Sequence, residues 1–326
     1  MRYRILFLII MSVMMGLILI NCTSNTSSEP TGDSTANPDS LNQSIERGKY
    51  LATKVVICLD CHSERDYKYF AGPIKDGTEG MGGEVFDEKI AGVPGKLYAR
   101  NITPDPETGI GTWTDDEIFT AITRGISKNG DTLFPLMPYI NYNRMAKQDI
   151  MDIIAYLRTL KPIKHKVPER KLFVPLHMVY PPSLQASVDK NVKPPISDKI
   201  KYGEYLVRSA ACFDCHTPME NGKSGQPFSG GYTFHLPTFT VTSANITPDK
   251  ETGIGAWTEE MFLQKFIQYR EKSAYLYDPG KLNSIMPWAF FSQMDDYDLK
   301  AIYAYLRTLP PVSKKIEKHP TEVAAR

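Results

Sequence analysis

Four of the five cysteines in this 326-residue chain fall into two copies of one pattern, Cys58-Leu59-Asp60-Cys61-His62 and Cys212-Phe213-Asp214-Cys215-His216. In a Cys-x-x-Cys-His run the two thiols are spaced to add to the two vinyl groups of one haem, and the adjoining His is delivered beneath the iron. The spacing therefore predicts two covalently bound haem c groups. Cys58, Cys61, Cys212 and Cys215 form the thioethers, and His62 and His216 ligate the irons through one ring nitrogen. The other ring nitrogen is expected to donate to a backbone carbonyl. A disulfide would also join neighbouring Cys in an exported protein, but it leaves the His after each pair without a reason. Zinc would need two more ligands per site, and His165, His177, His235 and His319 show no matching pattern between the copies.

A low-spin iron takes a sixth ligand, and Met137 and Met286 are placed to supply it. Each is followed by Pro and an aromatic residue, and each lies eighteen residues before an Ala-Tyr-Leu-Arg-Thr-Leu run. Core filling is the ordinary role of Met in a helical domain, and Met81, Met145, Met219, Met261 and Met294 are read in that way. A thioether is a soft ligand that favours ferrous iron and raises the potential relative to a second His.

These residues sit in a tandem repeat. Asn-Ile-Thr-Pro-Asp-Pro-Glu-Thr-Gly-Ile-Gly-Thr-Trp at 101 to 113 returns at 245 to 257 with eleven of thirteen positions unchanged, and Ala155 to Leu160 returns intact at 304 to 309. The offset is 154 at the Cys pairs, 144 at the Asn-Ile-Thr block, and 149 at both the Met-Pro pairs and the final helices, so loops changed length between fixed anchors. Ile150, Ile153, Ile154 and Leu157, and Leu299, Ile302, Tyr303 and Leu306, repeat at i, i+3, i+4 and i+7, which predicts an amphipathic helix closing each unit. Thr114 before Asp115, Asp116 and Glu117 predicts a capping box and a helix to about Arg124; Thr258 with Glu259 and Glu260 opens its counterpart. A further helix leads into each Cys pair. The expected class is mostly α, with domains at 44–160 and 198–312, a stiff proline-rich linker at 161–197 in which helix is blocked and strand limited to edges, and a tail at 313–326.

With 38 Lys and Arg against 37 Asp and Glu, the chain has no basic stripe for nucleic acid. Arg2 and Arg4 precede an apolar run from Ile5 to Ile20, which predicts export. Leu19-Ile20-Asn21-Cys22 resembles a bacterial lipoprotein cleavage site, with 1–21 as the signal and Cys22 as the acylated residue; the alternative is an uncleaved signal anchor. Residues 22–43 are polar and read as a flexible tether. Either route places the body on the periplasmic side of a bacterial membrane, anchored to it.

Taken together the motifs resemble class I c-type cytochromes, and among them the tandem cytochrome c subunits of bacterial membrane-bound alcohol, aldehyde and gluconate dehydrogenases. The resemblance spans 44 to 312. It implies a few helices around each covalent haem, with His and Met on opposite faces of the iron. It implies too that Gly48 and Tyr50 cross Tyr156 and that Gly203 and Tyr205 cross Tyr305. Trp113, Trp257, Asn101 and Asn245 become candidate haem contacts, with core packing for the Trp and turn capping for the Asn as the plainer roles. Those subunits commonly carry three haem domains and this chain has two. The implied function is electron transfer between redox partner proteins, a dehydrogenase on one side and an oxidase or another cytochrome on the other. The chain itself then makes no bonds. A dihaem enzyme of the peroxidase or thiosulfate-oxidising kind is the rival, and a permanent subunit of a dehydrogenase complex is a variant of the first reading. Tyr139, Tyr142, Trp288, Phe290 and Phe291, beside the Met loops, are a docking face if exposed and haem cover if buried.

Overall fold

The computed structural model describes residues 38–180, 184, 188–220 and 222–320. Cys22, the apolar run before it, most of the tether and the end of the tail lie outside the described residues. Among the described residues no helix is long and apolar enough to cross a membrane.

The first repeat opens with α1 (Pro38–Tyr50), runs through a π-helical stretch (Leu51–Val55), and turns into α2 (Cys58–Cys61). A short excursion follows: β1 (Val85–Asp87), α3 (Glu88–Ala91) and β2 (Gly95–Tyr98). Then come α4 (Asp115–Arg124), α5 (Tyr139–Tyr142) and the closing α6 (Lys147–Leu157). The linker contributes β3 (Lys171–Leu172), which pairs antiparallel with β2, so part of it lies as an edge strand on the first repeat. The second repeat repeats the order with α7 (Lys199–Ser209), α8 (Cys212–His216), the hairpins β4 (Met219–Glu220) with β5 (Lys223–Ser224) and β6 (Thr233–His235) with β7 (Thr240–Thr242), then α9 (Glu259–Ile267), α10 (Trp288–Phe291) and α11 (Asp296–Leu306).

The helices begin where their caps dictate. Thr114 accepts from the Glu117 amide while the Glu117 carboxylate accepts from the Thr114 amide, the expected capping box. Thr258 caps α9 by accepting from the Met261 amide, and Met at that position cannot return the bond. The first and last helices of each repeat cross at glycine. A Cβ on Gly48 would lie 1.8 Å from the Asp152 carbonyl oxygen, and one on Gly203 1.9 Å from that of Ala301, so only glycine lets α1 meet α6 and α7 meet α11 so closely.

The tyrosine hydroxyls do not follow the glycines. Tyr50 and Tyr205 were expected to meet the closing helix of their own repeat; the hydroxyl of each bonds to the closing helix of the other. Tyr50 donates to Asp298 at 2.8 Å and accepts from the Asp295 amide at 3.0 Å. Tyr205 donates to Asp149 at 2.6 Å and accepts from the Ala146 amide at 3.2 Å. The two exchanges are equivalent positions of the repeat, the Tyr 155 residues apart and their Asp partners 149 apart, the arrangement of a two-fold interface built inside one chain. One apolar core, containing Leu51, Ile150 and Ile153 from the first repeat and Leu206, Leu299 and Ile302 from the second, runs through that junction.

Candidate haem sites

Both attachment turns are entered through a residue in the left-handed region, Ile57 at φ 50° and Ala211 at φ 53°. This conformation is strained for a side chain with a Cβ, above all a branched one. Its recurrence just before both Cys pairs marks the turn as one the fold imposes. The approaches differ in length: Gly48 lies ten residues before Cys58, Gly203 nine before Cys212. The π-helical stretch absorbs the extra residue, with the Val56 amide donating to the Leu51 carbonyl at 2.8 Å.

Each His is gripped on two sides. His62 Nδ1 lies 2.6 Å from the Arg100 carbonyl oxygen and His216 Nδ1 lies 2.7 Å from that of Ala244. A carbonyl can only accept, so the proton belongs on Nδ1 and the Nε2 lone pair is left for a metal. Burial lowers the pKa of both imidazoles, against the opposing effect of the carbonyl bond, and favours the neutral ligating form. The His62 carbonyl accepts from the Gly82 amide at 2.9 Å and the His216 carbonyl from that of Gly230 at 2.8 Å.

The carbonyls that orient the His belong to the residues immediately before Asn101 and Asn245, which gives the Asn-Ile-Thr block its role. The Asn101 amide donates to Ile163 O at 2.8 Å and Thr108 Oγ1 at 3.1 Å, and its oxygen accepts from Thr103 N at 2.9 Å and Thr103 Oγ1 at 2.7 Å. Asn245 repeats the set with Val312, Thr252 and Thr247. Both amides are engaged by protein, so the structure favours turn capping over haem contact for them. Arg158 holds the block from the closing helix, donating to Ile110 O and Trp113 O, and Arg307 does so through Ile254 O and Gly255 O.

Trp113, Trp257, Met137, Met286, Cys58 and Cys212 are partly buried and all border the common core. Met145 and Met294 also stand 149 residues apart, so spacing alone would admit them as a second Met pair; both are fully buried core residues. The aromatics beside the Met loops are packed and form no exposed face: Tyr139, Tyr142, Phe290 and Phe291 are buried and Trp288 is half-buried.

The four thiols are unpaired, and burial pushes each up to about 12. Cys61 and Cys215 carry exposed surface, and Cys58 and Cys212 are partly buried. Cys215 lies near enough to Cys61 to raise it further. The two attachment turns are thus neighbours. Each faces the Met loop of the other repeat. Asn141 donates to Asp214 at 2.9 Å; at the equivalent place Arg65 pairs with Asp60 and lies 5.3 Å from the ring centroid of Phe290, the counterpart of Asn141. Arg65, Ile57 and Ala211 have no periodic or motif signal in the sequence and emerge only in three dimensions.

Two thiols, a δ-protonated neutral His and a bordering thioether fit a covalent haem. Among the described residues no group of three or more His, Cys, Asp or Glu is placed to hold a bare metal ion. The cytochrome c family model matches residues 200–310. That stretch, which holds the second Cys pair and Met286, is similar to a cytochrome c domain. Over most of its length the chain is similar to cytochrome c subunits: it is 29% identical over 286 residues to that of a quinone alcohol dehydrogenase of Gluconobacter oxydans, covering 82% of this chain and 55% of that protein. It is also 29% identical over 282 residues to the gluconate 2-dehydrogenase cytochrome c subunit of Pantoea cypripedii, covering 81% of this chain and 59% of that subunit. A dihaem c-type cytochrome of Cereibacter sphaeroides is 26% identical over 264 residues, 78% of this chain and 82% of that protein. The chain therefore spans little more than half the length of the dehydrogenase subunits it resembles, and most of the length of the dihaem cytochrome.

Proposed function

We propose that the chain is a dihaem electron-transfer protein with two cytochrome c domains, 44–160 and 198–312, tethered on the periplasmic side of a bacterial membrane through Cys22 or an uncleaved anchor. The observation that carries this reading is the duplication of the whole attachment turn: a strained entry residue, two thiols, and a His whose Nδ1 is held by a carbonyl at 2.6 Å in one repeat and 2.7 Å in the other. Haem c, when bound, supplies the change between ferric and ferrous iron. The protein's part would be to hold His62 and His216 in one tautomer, to offer Met137 and Met286 as the second ligands, and to keep the two sites adjacent. The names of the similar dehydrogenase subunits support a dehydrogenase as the electron donor, with an oxidase or another cytochrome as acceptor.

The test is the optical spectrum of the haem-loaded protein in ferric and ferrous forms, with and without carbon monoxide. Two low-spin haems with Met-to-iron charge-transfer absorption and no carbon monoxide adduct are expected. A high-spin component, or ready binding of carbon monoxide, would overturn one Met assignment and favour the dihaem-enzyme reading. Mass measurement of the mature N-terminus tests acylation of Cys22, and pull-down from solubilised membranes tests the partner.

A further inference from the structure

The two Met loops are not held in the same way. In the first, the Met137 amide donates to Phe134 O at 3.3 Å and the Tyr139 hydroxyl to Leu133 O at 3.2 Å, so the segment leading into Met137 closes on its own repeat. At the positions equivalent to Phe134 and Pro135 the second loop has Asn283 and Ser284. Asn283 is 1% exposed and its side chain reaches across to the first repeat. Its oxygen accepts from the Ala71 amide at 2.8 Å; its nitrogen donates to Tyr67 O at 2.8 Å and Tyr69 O at 3.2 Å. The same oxygen accepts from the Ser284 amide at 2.7 Å, and Ser284 Oγ accepts from the Met286 amide at 3.1 Å. A continuous run of bonds therefore joins the 67–71 loop of the first repeat to the backbone of Met286. Phe70 reinforces it, with its amide donating to Tyr275 O and Tyr277 O and its ring stacked on Tyr269 and Tyr277 at 5.2 and 5.5 Å.

We infer that Asn283 is a positioning residue for Met286, through which the first repeat controls the axial ligation of the second haem. The inference rests on the reading of Met286 as an iron ligand. A thioether is a weak ligand that stays on ferric iron only where its loop is held, and the hold on this loop comes from the other repeat. This run has no counterpart before Met137, because the equivalent positions, Phe134 and Pro135, carry no side-chain donor or acceptor that could make it; the first loop meets the other repeat beyond its Met, through Asn141 and Asp214.

The test uses the full chain loaded with two haems, with each potential followed by spectroelectrochemistry and the ferric charge-transfer absorption measured. Met286→Ala is expected to remove half of that absorption and lower one of the two potentials; if it leaves both unchanged, the ligand reading itself fails. Asn283→Ala is expected to reduce the absorption toward the same half and lower the same potential, with carbon monoxide now binding to one haem, while the other potential stays in place and serves as the control for folding. Ser284→Ala cuts the run without removing a bond between repeats and is expected to give a smaller shift of that potential; it decides the matter if Asn283→Ala yields no loaded protein. With Met286→Ala behaving as expected, the inference is overturned if the two variants leave absorption and potentials as in the parent, or if both potentials move equally.

Discussion

At the scale of single residues, the chemistry is carried by side chains and the geometry by their backbone neighbours. Asn101 and Asn245 hold a carbonyl against each His from one residue away. Replacing Asn101 by Ala strands the buried Thr103 amide and loosens the Arg100 carbonyl. The expected cost is about 1–3 kcal/mol, read as a lower denaturant midpoint. Covalent haem is retained, and the potential of the first haem alone rises, because a weaker carbonyl bond makes His62 a poorer donor. If Asn101 instead touched haem directly, the haem spectrum would change with little loss of stability. The Cys-x-x-Cys-His runs were legible in the sequence because all their chemistry is local. The role of Asn101 was not, since its partner Ile163 lies more than sixty residues away.

At the scale of elements, local signals were read correctly where they close within a few residues and failed where they reach across the fold. The Thr114 capping box and the closing helices lie where spacing placed them. The bonds of Tyr50 and Tyr205 to the closing helix of the other repeat were not foreseen, because the repeats pair with each other, which the pattern within one repeat does not encode. The π-helical stretch offers a direct test. Deleting Thr53 makes the first approach as short as the second, so haem attachment should survive, with the stretch converted to regular α-helix by circular dichroism and amide exchange. The same deletion in α7, which has no spare residue, should abolish attachment at the second site. Gly48→Ala forces a methyl into the Asp152 carbonyl and separates α1 from α6. Its expected cost is at least the roughly 1–3 kcal/mol of an overpacked contact, read as a fall in Tm.

At the scale of the molecule, the exchanged Tyr–Asp pairs make the junction of the repeats part of the core and not a surface added to it, and they are unequal. Asp149 is held by Tyr205 and by Arg47 in two contacts of 3.3 Å, with Lys193 at 3.7 Å. Asp298 has Tyr50, and the position equivalent to Arg47 is Tyr202. Burial raises the Asp298 carboxyl above the ordinary range, against the lowering effects of Tyr50, Tyr202 and Arg47. A raised carboxyl binds its proton more tightly in the folded state than in the unfolded one, so its effect on stability is most favourable below the unfolded value and is lost as pH rises through the folded value. The stability of the protein should therefore carry a component that declines from about pH 4 upward. Asp298→Asn should flatten that component, whereas Tyr50→Phe should extend it to higher pH by removing a bond to the charged form. Urea midpoints of the three proteins, measured across that range, check the sign. If the Asn variant keeps the parent's slope, the charge at the junction is not what sets the pH dependence.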